Sequence, residues 1–279
     1  MTVKIVTDSV ADLPLELADE LGITVVPLNV VFGNEIYRDG VDLTTDDFYR
    51  KLAENKVLPT TSTPPLQTFI EVYENLANET DEILVITISR KLSATGESAL
   101  KAVESVQKKC RIKIIPSEWA MMAEGLLVIE AAKGANSGGN LDELIQITNR
   151  NISRLSMRIA FDTLEYLKRG GRIGKAKALL GSMLNVNPIL GIKNGEVFPF
   201  GQERSRNKAM HNLYKFVTGF SRIEGLAVED ATTPDEADEF VERIKVVFPE
   251  APIYRSKVSP VIGTNVGPRV IGVSVLGDK

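Results

Sequence analysis

One cysteine and one histidine in 279 residues remove a large share of the chemistry a protein can perform. Cys110 by itself forms no intramolecular disulfide, so the fold is not stapled and suits a reducing cytoplasm. Zinc sites assembled from several His and Cys ligands have no material here. Any Ser-His-Asp or Cys-His pair has to use His211. That residue sits at the edge of the stripe Met210, Leu213, Tyr214 and Val217, the place of a solvated or partly packed histidine. There is no Gly-x-Ser-x-Gly elbow to hold a serine nucleophile. Positive charge is also short: 33 Lys and Arg against 37 Asp and Glu leave a net charge of −4, which argues against a nucleic-acid binder. No apolar run approaches the roughly 18 residues of a membrane span. Met1-Thr-Val-Lys-Ile-Val-Thr-Asp8 leads straight into a strand, without the apolar run and cleavage site of a signal peptide. Together these absences describe a cytoplasmic protein with no His- or Cys-based catalytic constellation and no His/Cys zinc site; any enzyme activity here works without the commonest acid/base residue.

What is present is ordinary for a globular protein: 43% hydrophobic and 25% charged residues, in a length that suits two domains. Val3–Val6, a helix near Pro14–Leu21 and Ile23–Val31 form a strand-helix-strand unit. Thr44 opens a helix running to about Ala53. Pro59–Pro65 reads as a hydroxyl-rich turn before a helix at Leu66–Ala77. Glu82–Ile88 is a nearly unbroken apolar run, as a parallel strand covered on both faces requires. A polar loop at Ser89–Thr95, a helix at Gly96–Lys109 and a strand at Arg111–Ile115 follow. An apolar helix then covers Ala120–Lys133, Gly134–Asn140 is a loop, and Leu141–Asn151 is a helix. The second half mixes strands Met157–Phe161, Ile223–Val228, Pro252–Tyr254 and Val270–Val275 with helices Leu164–Lys168, Ser205–Gly219 and Pro234–Val247. It carries a hairpin signal at Lys193-Asn194-Gly195. The expectation is an α/β protein of two α/β domains divided near residue 155. Residues 1–155 form a Rossmann-like domain on a parallel sheet, and residues 156–279 a domain with a mixed sheet and helices.

Three loops of the first half are rich in hydroxyls: Thr60–Thr63, Ser89–Ser93 with Thr95, and Ser117. Ligands of doubly wound sheets bind at the carboxyl ends of strands, and an anion there wants several short donors. Each hydroxyl singly is also explained as a helix cap. Asp8 after the first strand fits capping or loop closure better than metal binding. Gly263–Pro268 reads as a loop before the last strand. Leu164-Glu-Tyr-Leu-Lys-Arg-Gly-Gly-Arg-Ile-Gly174-Lys175 resembles a phosphate loop but is not one. Arg169 stands where the first glycine belongs, and Ala176 where Mg²⁺ needs a hydroxyl. What remains is a short helix ended by Gly170 and Gly171, with Lys168, Arg169, Arg172 and Lys175 around the turn. This cationic corner suits an anionic headgroup or an acidic surface; a glycine C-cap with basic residues on the helix dipole explains the same stretch without a ligand.

In order, Ile5-Val-Thr-Asp-Ser9 with Asp12-Leu13, Thr61-Ser62 before Pro64, Ile88-Ser89 with Leu92-Ser93-Ala94-Thr95, Ser117, the Tyr166–Ile173 core, Asn187-Pro188-Ile189, Arg204 and Gly263–Pro268 resemble the DegV family of bacterial fatty-acid-binding proteins nearly end to end. The resemblance implies a tunnel between two α/β domains holding one long-chain fatty acid such as palmitate. The carboxylate-binding hydroxyls map onto Thr61 and Ser93, with Ser62, Ser117 and Asn265 as further ligand-binding candidates. Arg172 and Arg204 fall near the headgroup or a partner contact. It further implies a carrier without cofactor or activity of its own, which presents its ligand to a separate ATP-dependent fatty acid kinase. Asn265 stands where the family usually carries histidine, and Asn accepts and donates hydrogen bonds but holds no charge. Ala94, Gly96 and Arg269 depart from the family's Gly, Tyr and Gly. The competing expectations are a phosphoryl or acyl transferase using Asp8 and Arg172, and a sensor whose contacts change with lipid.

Overall fold

A computed structural model describes residues 2–55, 57–180 and 186–279. Along the chain lie β1 (Lys4–Asp8), α1 (Leu15–Leu21), β2 (Ile23–Val26), β3 (Asn29–Phe32), β4 (Glu35–Arg38), α2 (Thr45–Glu54), β5 (Thr60–Ser62) and α3 (Leu66–Leu76). Next come β6 (Glu82–Thr87), α4 (Thr95–Val103), β7 (Arg111–Pro116), α5 (Met122–Asn136), α6 (Leu141–Ile152), β8 (Leu155–Ala160) and α7 (Glu165–Arg169). The chain continues with β9 (Asn187–Lys193), β10 (Glu196–Glu203), α8 (Arg206–Thr218), β11 (Arg222–Asp230), α9 (Pro234–Val247), β12 (Ile253–Lys257), α10 (Pro260–Val266) and β13 (Ile271–Asp278).

The α/β expectation holds. A parallel sheet runs in the order β2-β1-β6-β7, and a mixed sheet in the order β10-β9-β8-β13-β11-β12. Strands of the first come from residues 4–116 and those of the second from 155–278. The period of two divides the parallel sheet cleanly. Val6, Ile83 and Val85 meet Phe69 and Tyr73 of α3 on one face, while Ile5, Leu84 and Ile86 meet Leu126 and Leu127 of α5 on the other. In the mixed sheet only the β11–β12 pair is parallel. Its β9–β10 hairpin turns through Asn194 and Gly195 at φ 54° and 77°, the left-handed pair expected of Asn-Gly.

Helix α5 joins the two sheets. It packs on β1 and β6 of one and on β11 and β13 of the other. Eleven of its fifteen residues are buried, and its polar side is confined to Glu130, Lys133 and Asn136 near the C-terminal end. Gly125 allows that closeness, because a Cβ there would lie 2.6 Å from the Ala11 carbonyl oxygen.

Four local expectations change. Ile23–Val31 is two strands in different sheets: Pro27 offers no N–H to a ladder, and the chain leaves the parallel sheet to enter an antiparallel sheet β4-β3-β5. Thr60–Ser62 is the strand β5 of that sheet and not a turn. Gly134 lies inside α5, where a Cβ would come within 2.7 Å of Leu144 on α6; close helix packing, not a loop, selects it. The stretch 263–268 is mostly helix, with α10 capped by Ser259, opened by Pro260 and closed at Gly267, whose φ is 76°.

Candidate functional site

In the parallel sheet β1 connects leftward to β2, while β6 and β7 lie to its right. The gap between the carboxyl ends of β1 and β6 is therefore a topological switch point. A cavity opens there. Val10 follows β1 and Ile88, Leu92 and Ser93 follow β6; Ala120 and Met121 lead into α5. The mixed sheet closes the opposite wall with Ile159, Leu190, Gly191, Ile192 and Val197. Leu28, Phe161, Leu167 and the α10 residues Val261, Ile262 and Val266 complete the apolar lining. The cavity between these walls is narrow, about 80 Å³, and it is partly open to solvent.

Polar side chains enter this lining at only four places, Thr61, Ser93, Arg172 and Asn265. Contacts draw three of them, Arg172, Ser93 and Asn265, to one end. The Arg172 guanidinium donates to Leu92 O at 3.4 Å, beside Ser93, and to Gly170 O at 2.6 Å. Gly170 abuts Asn265, since a Cβ at 170 would overlap the Asn265 Oδ1. Helix α10, which carries Asn265, packs on β5, which carries Thr61. The Gly-Gly motif thus has a structural cause. Gly170 admits Asn265, and Gly171 takes a left-handed φ of 73° that a side chain would strain. Gly267 does the reciprocal service, leaving room for the Tyr166 ring.

Each polar group keeps capacity for a ligand. Ser93 Oγ shares a 2.8 Å hydrogen bond with Thr95 Oγ1 and accepts from Thr95 N. Asn265 Nδ2 donates once, to Val261 O at 3.2 Å, leaving its second N–H. Thr61, opposite Val30 in the β3–β5 ladder, is half-buried. Its neighbour Ser62 points to the other face and accepts from Asn29 Nδ2 at 3.4 Å. Ser117 is buried outside the cavity. It staples its own loop, donating to Trp119 O and accepting from Trp119 N. Arg204 lies exposed after β10 and does not line the cavity. Of the seven sequence candidates the structure therefore gathers Thr61, Ser93, Asn265 and Arg172, and leaves Ser62, Ser117 and Arg204 apart.

Asp8 closes the switch point. Its Oδ1 accepts from Val10 N at 3.0 Å and its Oδ2 from Ile88 N at 2.9 Å, so both oxygens are held by backbone. Burial pushes this carboxyl up to about 7. Further buried acids, which sequence reasoning missed, hold α10 and α5 from behind. Asp12, at φ 50°, accepts from Ser259 N at the start of α10, and Asp39 accepts from Ser9 Oγ at 2.8 Å. Glu229 on β11 accepts from Met122 N at the start of α5. Burial raises Asp39 to about 7 and Glu229 to about 8; burial and then the facing Glu229 hold Asp12 well above the carboxylate range. The Asp12-Leu-Pro and Ser259-Pro260 pairs were the visible signals; their meeting across 247 residues was not.

The architecture is shared with known proteins. A fatty acid binding DegV family protein from Thermus thermophilus superposes with a TM-score of 0.90 at 31% identity, covering 99% of this chain and 100% of that one. A stearic-acid-binding protein from Eubacterium ventriosum matches with a TM-score of 0.90 at 26% identity, over 99% of this chain and 98% of its own. Protein DegV of Bacillus subtilis is 33% identical over 279 residues, 98% of each chain. The family model described as an uncharacterised protein of the DegV family matches residues 2–278, and with that span this chain belongs to the DegV family.

Proposed function

We propose that the chain binds one long-chain fatty acid in the switch-point cavity, with its carboxylate at Thr61, Ser93 and Asn265 and its chain between the two sheets. The observation that carries this reading is the make-up of the cavity: apolar walls throughout, with Ser93, Asn265 and Arg172 drawn together at one end and Thr61 as the fourth polar side chain of the lining. Burying about 14 methylenes at roughly 0.8 kcal/mol each is worth on the order of 11 kcal/mol before ordering costs, enough to retain a ligand through purification. A carboxylate buried bare would cancel much of that, and the hydroxyls and the Asn265 amide answer it. Arg172, exposed at the same end, supplies the positive charge that Asn265 lacks. The relatives named for fatty acid binding support the same ligand class.

Presentation of the headgroup to a separate ATP-dependent fatty acid kinase completes the proposal. Lys168, Arg169 and Lys175 are exposed on the same turn as the cavity residue Arg172, Arg169 paired with Glu165 and Lys175 with Glu196, and offer a basic surface to such a partner. A transferase using Asp8 is less well supported, because Asp8 spends both oxygens on backbone N–H groups. Native mass spectrometry of the purified protein, followed by denaturation and lipid identification, tests the reading. One fatty acid per protein is the expected result; a protein that is empty and takes up no added fatty acid refutes it.

A further inference from the structure

On the mixed sheet, half-buried arginines come with acids. Arg154 pairs with Glu224 and Asp278, Arg206 with Asp162 and Glu236, and Arg255 with Asp230 and Asp238. Arg158 on β8 breaks the pattern. Among the described residues it has no carboxylate partner, and its one hydrogen bond to protein runs from Nη1 to Met157 O at 2.6 Å. Its neighbours on the strand, Met157 and Ile159, face the cavity side, so Arg158 emerges on the opposite face of the sheet, toward α8. There its guanidinium carbon lies 3.3 Å from the Phe200 ring centre and 4.7 Å from that of Phe216. Another cation shares the Phe216 ring: Lys279, whose Nζ sits 5.5 Å from its centre.

Rings cover the faces of a guanidinium and leave its edge, where the N–H donors point, free for a carboxylate. Burial without a counter-charge lowers Arg158 to about 10, and burial together with Arg158 lowers Lys279. Two neighbouring cations, Arg158 half-buried and Lys279 exposed, favour an incoming anion. The surround is apolar: Phe198 packs on Phe200, which is 36% exposed. Arginine set among aromatic rings is the composition of protein-interface anchors. A single half-buried guanidinium with rings at 3.3 and 4.7 Å from its carbon suits a protruding side-chain carboxylate better than a flat array of head groups. We propose that this face, on the far side of the mixed sheet from the cavity, docks an acidic segment of a partner protein, with one carboxylate on the edge of Arg158 beside Lys279 and apolar neighbours on Phe200. It goes beyond lipid binding: a partner held here leaves the polar end of the cavity open.

The probe is a short peptide alternating glutamate and leucine: its affinity for wild type and every variant is measured by calorimetry, and in the wild type the Arg158 Nε–H resonance is followed as well. A saturable shift is expected, with affinity at least about tenfold weaker in Arg158→Gln, weakened in Lys279→Gln and unchanged in the remote Lys113→Gln. Arg158→Lys, which keeps the charge and loses the fork, falls between, and an unchanged thermal midpoint certifies that the variants fold. Equal binding by wild type and Arg158→Gln overturns the proposal. So does an equal shift from free sodium glutamate, which marks a small-anion site. Phosphatidylglycerol vesicles that sediment wild type but not Arg158→Gln reassign the face to a lipid surface, and a dimer that Arg158→Gln dissolves reassigns it to a second copy.

Discussion

Thr61 and Ser62 are adjacent hydroxyl residues with opposite fates, and strand geometry decides between them. In β5 successive side chains point to opposite faces, so Thr61 meets the cavity while Ser62 meets Asn29. Read as a turn, the same segment gives no such alternation, which is why both were candidates in the sequence. Ser93 and Ser117 differ for another reason. Both follow strands of the parallel sheet, but Ser117 is committed to Trp119 on both its donor and acceptor sides. Residue types alone do not reveal such commitments; they need the loop's path. The expected consequence is selective. Thr61→Ala and Ser93→Ala should each weaken fatty-acid retention by about tenfold, the loss of one hydrogen bond to a charged group of roughly 1.5 kcal/mol. Ser62→Ala should leave it unchanged. Competition with a fluorescent fatty acid measures this, and equal loss in all three variants contradicts the headgroup assignment.

At the scale of elements, strands and long helices were legible because their periods are strong: Pro234–Val247 matches α9 residue for residue. Short elements were not. Helix α10 has seven residues, too few to form on its own, and its glycine and flanking Gly-Pro read as a loop. Tertiary packing creates it, with Val261, Ile262 and Val266 buried and Asp12 receiving the Ser259 N–H at its start. Gly263 serves contact with α2 and not chain reversal: a Cβ there would stand 2.6 Å from the Phe48 ring and 2.7 Å from Tyr49 Oη. Gly263→Ala should therefore destabilise the fold by about 1–3 kcal/mol despite alanine's better helix propensity. Urea unfolding measures the loss. Because α10 also lines the cavity, retention of fatty acid should fall with it; an unchanged midpoint would mean that α2 yields freely and that α10 is not held where the packing places it.

Across the whole molecule, the two sheets could be inferred from pattern, but their junction could not. The signal for α5 was its largely apolar composition, which marks a buried helix without saying what buries it. Nothing local foretold that Glu229 would reach the start of α5, or that Asp12 would meet both Glu229 and α10. These acids make the junction sensitive to pH. Asp8 and Asp39 titrate at about 7 and Glu229 at about 8 in the folded chain, each raised first by burial from an ordinary value near 4. The folded state thus keeps protons that the unfolded chain has released. The stability they contribute is complete below about pH 4 and lost as pH rises to about 8, by at most about 1.4 kcal/mol per pH unit for each group. Surface acids such as Asp42, lowered to about 2 by Arg38, oppose this only at much lower pH. Between pH 8.5 and 6 the urea midpoint should rise. Glu229→Gln and Asp39→Asn, neutral at every pH, should flatten that slope and narrow their disadvantage to wild type as the solution becomes alkaline. A wild-type midpoint that falls on mild acidification, or slopes that the substitutions leave unchanged, would show that these carboxyls are charged in the folded chain and that the junction is held by another means.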